Sequence, residues 1–255
     1  MKLCVNSWSY REAIEDRQLD LPGLFDEASR AGITALEAAG AHFPTVNDVF
    51  LNELALCRRR TGTRLAVITL ANDFAHPDAG ERAQQVSDLM TWMDVAVRLG
   101  VKMLAVGTGN LSALVEAEQS RRWVHQNLAR VARSAVRRGR VLAVQDSGSA
   151  FATMTEVLGL LEELKSPGLA PAGDLDKLTA EEWQRVAPCL VLGQLKVTDE
   201  TALAPHLTDR LQSLGRDALL SLLYRGGKNP TGALADAAGA LRASGVTPRE
   251  SPEQA

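Results

Sequence analysis

The chain has 255 residues, 45% hydrophobic and 23% charged, enough for one large core or two small ones. A formal net charge of -3 makes no general case for nucleic-acid binding, and no apolar run approaches the roughly 20 residues of a membrane span. Cys4, Cys57 and Cys189 form no CxxC and no even set, and the N-terminus enters a strand at once without a signal peptide, so reduced thiols and a cytoplasmic location are expected.

Leu3–Val5 reads as a first strand, left by the polar, aromatic mouth Asn6–Tyr10. Asp20 can cap a helix with Leu21, Leu24, Phe25 and Ala28 on one face, ended by Gly32. Ile33–Leu36 is the second strand, with Glu37 at its tip and His42 in the following loop. A helix over 49–60 leads to Gly62, and the third strand, Leu65–Leu70, ends in a loop with Asn72, Phe74 and His76. The next helix repeats apolar residues at Val86, Leu89, Met90, Met93 and Ala96 and stops at Gly100. Met103–Val106 is a fourth strand opening into Gly107–Asn110, and a long helix over 117–138 closes at Gly139. The fifth strand, Val141–Val144, is apolar and β-branched and runs straight into Gln145 and Asp146.

A helix over 155–164 follows, then a short strand reaching Asp174, and Thr179–Glu182 has the pattern of a capping box. Leu190–Val197 is strand seven, Pro205–Leu214 a helix, Leu219–Tyr224 strand eight and Leu234–Ala243 the last helix. Eight β/α units in one series predict an α/β fold, a single (β/α)8 TIM barrel over 1–243, with a disordered tail over 244–255. A doubly wound open sheet is the alternative, but no GxGxxG follows any strand. In a barrel the chemistry sits at the carboxyl ends of the strands, here Asn6, Glu37, Asn72, Gly107, Gln145, Asp174, Gln194 and Tyr224 with their neighbours.

The order of those strand ends resembles the xylose-isomerase-like sugar phosphate isomerase/epimerase family of TIM barrels. The stretches that carry the resemblance are Ala31–Glu37, Asn72–Phe74, Asp94–Gly100, Leu142–Asp146, Gln194–Lys196 and Leu220–Tyr224, which span nearly the whole chain. The resemblance implies one divalent ion, Mn²⁺, Mg²⁺, Co²⁺ or Zn²⁺, held by a Glu, an Asp, a His and a Glu on strands five to eight. The matching positions here are Gln145, Asp174, Gln194 and Leu223, so one ligand of four remains. A further His of the family falls at Asp176 or Lys177. Hard divalent ions want charged oxygens and zinc wants three or four N, O or S donors; two amides and a leucine do not supply them. The expectation is therefore no metal and no cofactor.

Gln145 and Gln194 read either as satisfied polar groups in a dead pocket or as the walls of one rebuilt for metal-free work. Asp174 reads as a general base or as the partner of a lysine. Lys196 lies two residues past Gln194, so both share a strand face, and facing the axis it becomes an electrophile or an anion clamp. Asp146, Glu37 and His42 complete the acid/base candidates, against the reading of Asp146 as a turn cap and His42 as a surface residue. Asn6, Asn72, Tyr224 and Arg225 are candidate substrate contacts, and Trp8 and Phe74 are pocket walls or plain packing. Arg225–Lys228 reads as a phosphate loop or a turn. Seven arginines between Arg121 and Arg140 fall on an outer helix, which reads as a solvated face.

Three functions follow. One is metal-independent acid/base chemistry (isomerisation, epimerisation, dehydration or hydrolysis) on a small carbonyl or polyoxygenated substrate. The second is a pseudoenzyme that binds a small molecule or a partner protein. The third, an endonuclease-IV-like nuclease, needs a ligand cluster that four histidines scarcely allow. Expected partners are a small-molecule substrate, with neither nucleic acid nor membrane. The resemblance leaves a homo-oligomer open.

Overall fold

Each predicted apolar run forms a parallel strand, and the eight strands close in chain order into a barrel in which β1 pairs with both β2 and β8. The strands are β1 (Lys2–Asn6), β2 (Ala35–Ala39), β3 (Arg64–Leu70), β4 (Met103–Val106), β5 (Val141–Gln145), β6 (Leu169–Asp174), β7 (Leu192–Val197) and β8 (Leu219–Tyr224). This computed structural model describes residues 2–199, 205–215, 217–227 and 229–246. The expected disordered tail lies outside these from residue 247 onward, and so does Lys228 of the expected phosphate loop.

The outer helices begin and end where the sequence signals them. Asp20 Oδ1 accepts the Gly23 N–H at 2.8 Å at the start of α2 (Leu21–Arg30). Helices α3 (Asp48–Thr61) and α4 (Ala79–Leu99) end on Gly62 and Gly100, both left-handed, where a side chain would be strained. Helix α5 covers Ala117–Arg137, α6 Met154–Leu164, α7 Ala180–Val186, α8 Pro205–Gln212 and α9 Pro230–Ala243. No helix among the described residues is long and apolar enough to cross a membrane.

Two local expectations are corrected. The mouth after β1 is not a loop but a 3-10 turn (Ser7–Tyr10) running into a short helix, α1 (Arg11–Glu15). The second strand starts two residues later than Ile33 and runs three residues past Leu36, through Glu37 to Ala39, because its pairing with β3 continues to Thr69. Glu37 is thus inside the strand, not at its tip.

Side-chain phase separates two cores. Leu, Val and Phe side chains pack between strands and helices. Inside the barrel sit Cys4, Ala35, Val67, Ala105, Ala143, Ala172, Leu192 and Leu219. With a period of two, the next inward position toward the carboxyl end is Asn6, Glu37, Thr69, Gly107, Gln145, Asp174, Gln194 and Ser221. A register shift between Leu36 and Glu37 against β3 keeps Glu37 level with Val67.

Candidate active site

The inward polar residues meet around Glu37. Its Oε1 accepts hydrogen bonds from Thr69 Oγ1 at 2.6 Å and, across the barrel, from Gln194 Nε2 at 2.8 Å. Its Oε2 is buried without a hydrogen-bond partner, as is the Ser221 hydroxyl nearby. Burial pushes the Glu37 carboxyl above its ordinary pKa, against the opposing pull of Ser221, Thr69, Gln194 and Asn6. Asn6, itself buried, also caps the following turn by accepting the Trp8 N–H at 3.0 Å.

One register step away, Asp174 pairs with Gln194 on the neighbouring strand, and Lys196 lies two residues on along the same face. Lys196 Nζ is 2.8 Å from Asp174 Oδ2, and Lys177 Nζ is 3.8 Å from the same oxygen. The other carboxylate oxygen of Asp174 accepts the Asp176 N–H at 3.2 Å, while Asp176 Oδ2 accepts the Lys196 N–H at 3.2 Å. The ends of β6 and β7 are therefore tied by alternating charges. Gln145, half-buried at the end of β5, makes no side-chain hydrogen bond among the described residues, so its amide is available to a ligand.

A second group lies on the rim after β1 and β2. Ser7 Oγ accepts the Ala39 N–H at 2.9 Å and shares a second hydrogen bond with His42 Nδ1, also at 2.9 Å. Burial lowers the His42 pKa, against the raising effect of Glu15. The Trp8 ring meets His42 edge-on at 4.7 Å between centroids.

Other candidates stand apart. Asp146 is on the opposite phase of β5 from Gln145; a Cβ built on Gly173 would come within 3.2 Å of its carboxyl oxygen, so it packs behind β6. Burial raises its pKa, partly offset by Lys177. Asn72 spends both amide atoms on residue 107, donating to its carbonyl at 2.7 Å and accepting its N–H at 3.1 Å. Phe74 is fully buried in the outer core and is packing, not a pocket wall. Tyr224 takes the outward phase of β8, and its hydroxyl donates to Asp199. Arg225 is exposed, with its backbone N–H donated to Val197 at 2.8 Å. In the expected phosphate loop, Asp199 Oδ2 already accepts the Gly227 N–H at 2.8 Å, so a carboxylate of the chain occupies that donor.

The glycines after β4 answer to packing. Asp73 Oδ1 accepts the Ala75 N–H at 3.0 Å and the Asn110 N–H at 3.2 Å, and Asn110 Oδ1 accepts the Ser149 N–H at 3.2 Å. Gly109 has φ +101, and a Cβ there would fall 2.1 Å from Asp73 Oδ1, so no other residue fits. The rim over β3, β4 and β5 is knitted together. Sequence reasoning missed Thr69, Ser221 and Ser7; counting by two from the inward Val67 and Leu219 leads to the first two.

The family profile described as xylose isomerase-like TIM barrel matches residues 25–239. The chain belongs to that family. Among curated proteins none matches by sequence. Similar solved structures include an L-ribulose 3-epimerase, TM-score 0.78 and 15% identity, covering 99% of this chain and all of the other. D-psicose 3-epimerase from Clostridium cellulolyticum H10, solved with D-tagatose, aligns with TM-score 0.75, 13% identity and coverage of 98% and 100%. The IolI protein with a bound zinc atom gives TM-score 0.76, 13% identity and coverage of 96% and 97%. At such identities these likenesses speak for the fold.

The metal ligands that the family resemblance implies do not fit in this member. Of the four positions, only Asp174 is a carboxylate, and an ammonium sits 2.8 Å from its Oδ2, where a second cation would be repelled. Leu223 offers no donor. Gln194 offers only a neutral amide and commits one of its two N–H groups to Glu37, and no group of three His, Cys, Asp or Glu able to hold a metal occurs among the described residues.

Proposed function

We propose that this chain is a metal-independent acid/base enzyme that acts on a small carbonyl or polyoxygenated, sugar-like substrate at the carboxyl end of the barrel. The observation that carries it is the Lys196 ammonium 2.8 Å from Asp174, a cation on the strands where the family resemblance implies a metal. Sugar epimerases among the similar structures favour a polyhydroxylated carbonyl substrate.

In this reading the substrate carbonyl oxygen takes a hydrogen bond from Lys196 and from the Gln145 or Gln194 amide. A carboxylate, Asp174 first, removes the proton from the adjacent carbon. The electron pair left behind moves to the oxygen, where the ammonium stabilises it. Return of the proton to the opposite face of that carbon gives the epimer; its delivery to the former carbonyl carbon, with the neighbouring hydroxyl proton passing to the old carbonyl oxygen, gives the isomer. His42 on the rim is the alternative proton carrier, and Glu37 keeps Gln194 oriented.

Lys196→Ala and Asp174→Asn are each expected to lower kcat by about 10²–10⁴-fold, with unchanged circular dichroism and no effect of EDTA. Activity restored by added Mn²⁺ or Co²⁺, or full turnover in both variants, would overturn the assignment. The second reading is a non-catalytic binder. It is favoured by the full engagement of Asp174, whose two oxygens are already held by Asp176, Lys196 and Lys177. A sugar that binds with no turnover across a panel of ketoses and aldoses decides for it.

A further inference from the structure

The amino ends of the strands form the opposite end of the barrel, where in this fold conserved residues ordinarily serve stability. In this chain that end is a recess lined with positive charge. A cavity of about 300 Å³ lies between the starts of β1, β3, β4 and β8 and the end of α3. It shares Arg58, Leu65 and Gly100 with an adjoining cavity of about 450 Å³.

Lys2, Arg58, Arg64 and Lys102 line the first cavity, with Asp217 as its carboxylate among the described residues. Arg98 of the adjoining cavity is paired with Asp48 at 2.7 Å, whereas those four cations form no ion pair among the described residues. Arg58 is in the last turn of α3, where a cation answers the helix dipole. That reason does not extend to Lys2 and Arg64, which open strands. Lys2 shares the inward phase of Cys4, and Arg64 pairs in register with the inward Ala35. The Arg64 charge is close enough to act on the buried Cys4 thiol.

Like charges gathered without partners repel one another, and a chain of net charge -3 does not gather them through general basicity. A ligand with several negative charges would relieve that repulsion. Guanidinium groups grip phosphate oxygens in pairs and lysines hold them as point charges. We infer that this recess binds a small polyphosphate, a molecule carrying two or more adjoining phosphate groups, at a site separate from the active site. A recess of this size between strand ends suits a small molecule; a nucleic acid would need a stripe of cations along the surface.

Isothermal titration of the full chain with inorganic pyrophosphate tests this. One saturable site is expected, weakening as salt rises. It should weaken at least about tenfold in a Lys2→Gln/Arg64→Gln variant and in Arg58→Gln, a helix-surface change that leaves the strands untouched. Lys196→Ala, at the far end of the barrel, should bind pyrophosphate unchanged. Circular dichroism of each variant establishes that the fold is retained. The inference is overturned by absence of saturable binding, by undiminished binding in the folded variants, or by loss of binding in Lys196→Ala. It is equally overturned if citrate binds as tightly as pyrophosphate, or if a DNA duplex binds more tightly and depends on the same residues.

Discussion

Glu37 concentrates the electrostatic tension of the barrel interior in one side chain. Oε1 receives two donors while Oε2 has none, and burial holds the carboxyl above its ordinary pKa. Between the unfolded value of about 4.3 and the raised native value, the native state keeps a proton that the unfolded chain has lost. Stability must therefore fall as pH rises through that window, and below it the penalty is absent. Glu37→Gln retains an acceptor for Thr69 and Gln194 and places an N–H donor where Oε2 stood, toward Ser221. This variant is expected to be more stable than the parent at pH 8 by roughly 1–3 kcal/mol, the usual cost of a buried polar group left uncompensated, and little changed at pH 4. Urea melts at the two pH values check it. Equal stability differences at both would mean that Glu37 is not the group that titrates.

At the scale of elements, the caps were legible because they are local. Thr179 and Glu182 form the capping box of α7 that their spacing announced, and Thr153 and Glu156 form another at α6. The sequence could not show that Glu182 also reaches the preceding helix, where its Oε1 accepts the Thr155 N–H at 3.2 Å. Thr179→Ala should cost about 1 kcal/mol. Glu182→Ala should cost more, roughly 1–3 kcal/mol, since it strips acceptors from donors on two helices. Thermal melts that rank the two in the opposite order would remove the bridge between α6 and α7 from the account.

The same contrast governs the site. Lys196 could be placed by the period of two from Gln194, because both lie on one strand. Glu37 was set at a strand tip because the apolar run ended before it, while pairing with β3 carried the strand on to Ala39. Phe74 and Tyr224 read as pocket residues since both follow apolar runs; loop folding buries one, and strand phase turns the other toward the helices. What a residue's neighbours in sequence decide was readable. What a crossing strand or a returning loop decides was not.

For the whole molecule, closure of the barrel through β1 and β8 makes the interior the last part of the chain to meet solvent. The three thiols sample this at three depths. Cys189 is exposed, Cys57 is buried on the last turn of α3, and Cys4 is fully buried on β1 inside the barrel. Partial desolvation of its sulfur, with the Glu162 charge adding, raises the Cys189 pKa above the ordinary thiol value. Cys57 needs only local opening of a helix end, whereas Cys4 needs the strands themselves to part, and such openings differ widely in free energy. Ellman's reagent under native conditions should therefore react first with Cys189, then with Cys57, and with Cys4 only at the rate of global unfolding. Mild urea should accelerate the Cys4 phase most, because that opening exposes the most surface. Cys4 reacting together with Cys57 would show instead that β1 leaves the sheet easily and that the single-domain closure proposed for 1–243 is its weak seam.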